Sequence, residues 1–174
     1  MSLLAGNMKT RLLWFNLFLA VAFITGCTTT GVKSEKSTLR LHFEIDAANN
    51  DRIASVPIFR ANPMFLNVER EYVCDERNVS AASIIDQPGG FAIQIQLDRQ
   101  GTWRLEQSSL THKGKHLAVF SHFGEARWLA APVIHKIISN GRIIFTPDAT
   151  REESERIVRG LNNGVKKNSF KESL

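Results

Sequence analysis

The side chains able to do chemistry in this 174-residue chain include five histidines, two cysteines and a set of carboxylates, and their spacing limits what they can do. His112 and His116 stand at a zinc-compatible interval, but the further ligands that a zinc site needs are not evident. The pair is also expected to straddle the end of a helix and the start of a strand, which would take the two rings off a common face. No serine lies in a nucleophile-elbow sequence. Glu152-Glu153 falls at a predicted helix start, where the macrodipole favours negative charge without any catalytic role. Gly89-Gly90 precedes a predicted strand, whereas a phosphate loop follows one and opens a helix. The sequence therefore predicts no catalytic residue, no metal and no cofactor. An enzyme would need a cleft that groups ionisable residues such as His116, His122 and Glu125. Contact residues remain: Phe123, Arg127 and Trp128 lie near a predicted hairpin tip, and exposed Trp and Arg are enriched in interaction hot spots. The opposite reading turns Trp128 to the sheet core with Phe123 capping it.

The cysteines read differently. In MKTRLLWFNLFLAVAFITGC, Met8 to Cys27, two basic residues precede an apolar run from Leu12 to Phe23 that only Asn16 interrupts. Charge, then roughly a dozen apolar residues, then small residues is the order of a secretory signal. The run is short for a transmembrane helix, which needs about 20 apolar residues. Its end, Ile24-Thr25-Gly26-Cys27, resembles the bacterial lipobox, which implies cleavage after Gly26 and lipid attachment to the Cys27 thiol. Met8 serves as well as Met1 for a start, since the first seven residues add nothing that the signal needs. More than one acyl chain, at roughly 0.8 kcal/mol per buried methylene, would hold the domain on a membrane, facing the periplasm or the exterior. Thr28, in place of the aspartate that retains some lipoproteins at the inner membrane, leans towards the outer one. An exported chain with two cysteines would ordinarily pair them, but a lipidated Cys27 leaves Cys74 alone. Between Val73 and Asp75, without a basic neighbour to activate it, Cys74 is expected to be a buried thiol.

Without residues 1–27 the chain keeps 20 basic against 17 acidic residues, a net charge of +3. That balance, with no clustered basic face and with export, argues against nucleic acid as a partner. Residues 28–37 read as a polar tether, 38–164 as one domain and 165–174 as a frayed basic tail. Leu39, Leu41, Phe43 and Ile45 alternate with polar residues, and Phe91 to Leu97 alternate likewise after the turn Pro88-Gly89-Gly90, so each segment predicts a half-buried strand. Ser55–Arg60 is a shorter candidate at an edge, because of Pro57. Leu117–Phe120 and Arg127–Ala130 predict a hairpin around Phe123-Gly124-Glu125. In AAPVIHKIISNGRIIF, residues 130–145, Asn140-Gly141 predicts a two-residue hairpin turn with isoleucines paired across it. One helix is expected from Arg99 to Thr111, with Trp103, Leu105 and Leu110 as partial core contacts. A second starts at the capping box Thr150…Glu153, buries Ile157, Val158 and Leu161, and stops at Asn163-Gly164. The fold class expected is α+β: a mixed, largely antiparallel sheet with about two helices on one face.

The order Gly114-Lys115-His116-Leu117-Ala118-Val119-Phe120, Ala131-Pro132-Val133-Ile134, Ile138 with Gly141, then Thr150-Arg151-Glu152-Glu153 and Leu161 resembles the head subdomain of the first periplasmic domain of SecD, a protein-export membrane subunit. Leu97-Asp98 with Gly101 fits the strand and helix start ahead of it, and the likeness covers roughly residues 75 to 163. His122-Phe123-Gly124 stands where the family has an Asp-Gly turn, and a second family glycine gives way around Phe145-Thr146-Pro147. The transmembrane segments of SecD, where proton-driven work is coupled, have no counterpart. The resemblance and the lipobox together imply a lipid-anchored, non-enzymatic module that contacts exported polypeptides or an export or envelope complex. The alternative is an envelope ligand-binding or scaffold lipoprotein that reuses the fold. A closed pocket with converging polar groups would favour that alternative, and an open sheet edge would favour polypeptide contact.

Overall fold

In the computed structural model, which describes residues 35–46 and 52–172, the alternation around Leu41 becomes strand β1, Thr38–Phe43. The signal segment with Ile24, Thr25, Gly26 and Cys27, and most of the tether, lie outside the described residues. The elements that follow are β2 (Ile53–Ile58), β3 (Met64–Glu69), β4 (Cys74–Asp75), β5 (Val79–Gln87), β6 (Gly90–Leu97), α1 (Arg99–Thr111), β7 (Leu117–His122), β8 (Ala126–Ala130), β9 (Arg142–Phe145) and α2 (Arg151–Glu172). The class is α+β. Among the described residues the strands divide into three sheets, β4-β1-β7-β8, β2-β3 and β5-β6-β9, and every pairing is antiparallel.

Register explains the layering. Leu41 stands opposite Val119 and Phe43 opposite Leu117, so these four side chains share one face, and all are buried in the main core. Ile93 and Ile95 of β6, Leu105 of α1 and Ile157 and Leu161 of α2 close that core. A fully buried Leu or Ile contributes about 1.5–3 kcal/mol, so this face dominates the energetics. The opposite face carries Arg40 opposite Phe120 and His42 opposite Ala118. It is covered in part by the β2–β3 hairpin, whose Val56, Ile58, Leu66 and Val68 pack with Ala118 and Trp128 in a second, smaller cluster. Beyond β1 the chain is stitched to both neighbours, with Glu44 N–H donating to the His116 carbonyl and Ile45 N–H to the Asn67 carbonyl, each at 2.9 Å.

Both helix starts follow local chemistry. Asp98 accepts from Gly101 N–H at 2.6 Å as the cap of α1. The Thr150 hydroxyl accepts from Glu153 N–H at 3.2 Å while the Glu153 carboxylate accepts from Thr150 N–H at 2.8 Å, a complete capping box. The α2 stripe is Ile157 and Leu161, with Val158 partly buried beside them. Asn162 then treats β5 as another strand would: its side-chain oxygen accepts from Ala82 N–H, and its NH2 donates to the Ala82 carbonyl, both at 2.9 Å.

Three expectations are corrected. Asn140-Gly141 does not join two paired strands. Val133 bridges His116 instead, extending the β7–β8 hairpin, and Ile143 pairs with Ile95 of β6. Gly141, at φ +63°, is seated where a Cβ would lie 2.0 Å from the Thr102 hydroxyl, and its carbonyl accepts from Leu97 N–H. The turn therefore docks β9 on β6. Asn163-Gly164 does not stop α2, which runs through residues 165–172. Glycine in a helix costs about 1 kcal/mol, and here Asn162 and Asn163 bond to Ala82 and Glu35 while Val165 still packs on the core. In α1 only Leu105 of the three predicted contacts is buried. Trp103 is 62% exposed and Leu110 51%, because the helix turns Gly101, Leu105 and Ser109 inward.

Close backbone approach fixes how α2 meets β1. A Cβ on Gly160 would stand 2.2 Å from the Ser37 hydroxyl and 2.6 Å from the Ser37 backbone nitrogen, which cannot swing aside. Gly160→Ala is expected to lower stability by about 1–3 kcal/mol in urea unfolding, the usual range for overpacking, despite the better helix propensity of alanine.

Candidate functional site

Three strands build one row of side chains across the outer sheet face. Arg40 of β1 stands opposite Phe120 of β7, which stands opposite Trp128 of β8. The Trp128 ring meets Phe120 edge-on at 5.2 Å and His42 at 5.3 Å. Ala54 and Val68 of the hairpin, with Arg70 just past β3, form the opposite wall of a basin of about 190 Å³. The Arg40 guanidinium lies 5.3 Å from the Tyr72 ring centroid, and Arg70 Nε donates to the Ile53 carbonyl at 3.1 Å. Both arginines are exposed.

His42 is buried in the floor, with Nδ1 2.7 Å from the Glu69 carbonyl. A carbonyl can only accept, so Nδ1 carries the proton, and in the neutral ring Nε2 is left as an acceptor. Burial holds the His42 pKa below its ordinary value, against the pull of that carbonyl, so the ring is neutral at pH 7.

Phe123 and Arg127, named with Trp128 from the sequence, are placed in the interior at the hairpin tip, 5% and 6% exposed. The Arg127 guanidinium lies 5.2 Å from the Phe123 ring and meets the Glu153 carboxylate with two bonds of 3.0 Å. It also donates to the Asp148 carbonyl at 3.2 Å and to Glu125. The Arg127 bonds, then the Thr150 amide, hold the Glu153 pKa below its ordinary value. Arg127 thus ties the tip of β7–β8 to the capping box of α2. Trp128 points the other way, because adjacent strand residues face opposite sides, and of the three it alone lines the basin.

The ionisable residues are scattered. His116 begins the pairing at one end of β7, where its backbone N–H and Nδ1 meet Glu44 Oε2 at 2.9 and 2.6 Å. Burial raises the Glu44 pKa, but the His116 bonds outweigh it and leave the carboxyl below its ordinary value. His122 ends the same strand, six residues or roughly 20 Å away, and Glu125 is engaged by Arg127. His112 lies stacked on Phe43 at 4.5 Å. Cys74 is fully buried, its pKa pushed up to about 12 by burial, so the thiol stays protonated. Among the described residues no group of three His, Cys, Asp or Glu could hold a metal ion.

A second hollow, of about 310 Å³, lies beside β9 and is walled by Phe59, Pro132, Ile144 and Phe145. Phe59 is held at φ +66°, a left-handed conformation costing a non-glycine residue roughly 1–2 kcal/mol. The next residue secures it: Arg60 N–H and Nε donate to Asp148 Oδ2 at 2.8 and 3.3 Å. Ile144, 43% exposed, sits on a strand whose outer edge pairs with no strand among the described residues.

No family model matches the chain, and no curated protein matches it. Solved structures are similar. One is described as a membrane component SecDF that enhances protein export; the TM-score is 0.54 at 14% identity, over 92% of this chain and 71% of that one. Another is SecDF in its super-membrane-facing form, with a TM-score of 0.52 at 15% identity, over 75% of this chain and 19% of that one. At these identities the likeness is one of fold, and the domain has a SecD-like fold. The chain spans about a fifth of the second structure.

Removing Arg127 would strand Glu153. Breaking a buried pair by removing one partner costs about 3–5 kcal/mol, and Glu153 is 25% exposed at its side chain, so Arg127→Met is expected to lose about 2–3 kcal/mol in urea unfolding at pH 7. The Glu153 pKa is depressed on folding, so the stabilisation is full above its unfolded value, near 4.5, and fades as pH falls through the folded value. The deficit of the variant should therefore shrink below about pH 4.

Proposed function

We propose that this chain is a lipoprotein of the bacterial envelope, held on a membrane by acylated Cys27. Its SecD-like domain contacts polypeptides in export, or an export or envelope complex, without catalysing a reaction. The fold carries this reading: 92% of the chain aligns with a SecDF structure, and that protein enhances protein export. Two features support it. The outer edge of β9 offers backbone donors and acceptors to an extended chain, beside the apolar hollow of Phe59 and Ile144. His116 and His122 sit at opposite ends of one strand, so the cleft that an enzyme would need does not gather them. Among the described residues no helix is long and apolar enough to cross a membrane, and the attachment is assigned to the Cys27 thiol on the strength of the lipobox.

A photo-crosslinker at Ile144, tested in cells, is expected to yield adducts with secreted precursors or export components. Recovery of neither from the anchored protein would sink the reading. Cys27→Ser should abolish incorporation of a clickable palmitate analogue and move the protein out of the membrane fraction; an unchanged distribution would remove the lipid anchor.

A further inference from the structure

We propose that the basin over Arg40, Phe120 and Trp128 takes acidic–aromatic segments of a polypeptide, one aromatic side chain seating in it and neighbouring carboxylates meeting Arg40 and Arg70. The proposal rests on the polypeptide-contact reading and gives it a second surface, on the sheet face away from β9.

The floor is aromatic and only half covered. Phe120 and Trp128 are neither buried nor fully exposed, and their edge-to-face packing, with His42 behind Trp128, leaves ring surface towards the basin. The rim is cationic. No carboxylate pairs with Arg40 or Arg70 among the described residues; Arg40 leans on Tyr72, and Arg70 bonds only a backbone carbonyl through Nε. The nearby acid on the same sheet face, Asp75 opposite Arg40, is taken by Arg77 at 2.6 and 2.8 Å. Glu69 bonds His42 only through its backbone carbonyl, and its carboxylate lies near enough to act on the His42 ring, so the rim carries two guanidinium groups against one acid; Glu44 is taken by His116. Two guanidinium groups beside an aromatic floor complement an anion next to a ring, and repel a basic segment.

Size selects a side chain over a free ligand. Pockets for small molecules run about 300–1,000 Å³, and the basin holds about 190 Å³. That suits one ring supplied by a longer chain whose backbone stays outside. Nε2 of neutral His42 adds an acceptor at the floor for a phenol or indole donor.

The test uses the full chain in detergent micelles with two synthetic peptides, Ac-GDFEG-NH2 and Ac-GKFKG-NH2, followed by the Trp128 indole N–H resonance and by calorimetry. The acidic peptide should shift that resonance and bind, and the basic one should do neither. Raising salt from about 0.1 M to about 1 M, which shortens the Debye length from about 10 Å to about 3 Å, should weaken binding at least about tenfold. Arg40→Gln with Arg70→Gln should weaken it by a similar factor, with the melting temperature confirming the fold. If that variant unfolds, the salt series on the unmodified chain decides. An unmoved Trp128 resonance, equal binding of the basic peptide, or salt-independent binding would overturn the proposal. So would phenylacetate binding as tightly as the peptide, which would mark a small-molecule site. Loss of peptide binding with Ile144 crosslinks intact removes the basin alone; peptide binding without those crosslinks removes the export reading alone.

Discussion

A strand whose two faces both carry residues that need cover cannot stand at the surface of a domain, and β1 has two such faces. Leu39, Leu41 and Phe43 are each 1% exposed or less on one side, and His42 is 6% exposed on the other. The inner face needs the helices; the outer face needs something thinner, and the β2–β3 hairpin supplies it. Position and chemistry follow together. β1 is central, with β4 and β7 at its flanks. His42 is kept neutral by burial, and Arg40 escapes the covered zone by leaning outward onto Tyr72. The basin lies where the hairpin stops covering the sheet.

A different interaction holds the far end. The Arg127 guanidinium joins a hairpin tip, a loop carbonyl and a helix cap in one cluster. Its geometry is bidentate, the form in which an arginine–carboxylate pair best offsets desolvation. One bond is missing: Nε of Arg127 is buried with no partner among the described residues, and the Phe123 ring centroid lies 5.2 Å from the guanidinium carbon. The hairpin tip is therefore an anchored part of the molecule, and its aromatic residue is a lid on the cation.

Much of this was legible in the sequence where local rules and burial agree. The period-two runs at Leu39 and Ile93, the turn at Pro88-Gly89-Gly90, the β7–β8 hairpin and both helix starts depend on neighbours within a few residues. The failures share one cause, the choice of a tertiary partner. Asn140-Gly141 has hairpin chemistry, yet Thr102 and Leu97 hold that glycine, so the following strand joins β6. Asn163-Gly164 has stop chemistry, yet both asparagines bond elsewhere and the helix continues. Trp103 was expected as a partial core contact; Gly101 and Ser109, with Leu105, mark the buried face instead. The site was half legible. Strand alternation alone puts Arg127 and Trp128 on opposite faces, and Arg40 with His42 on one. That Arg40 neighbours Phe120 needs the register of β1 on β7, which no local pattern encodes.

The carboxamide of Asn162 imitates a peptide group against Ala82, and α2 lies along β5 beside it. The three-stranded sheet is therefore closed on one lateral edge and open on the other. A sheet with two free edges can recruit strands without limit, which is the route to fibres. Here the β9 side is the open one, and on the opposite side α2 and Asn162 occupy β5 at Ala82. Growth of this sheet by strand addition is therefore directed to its β9 side.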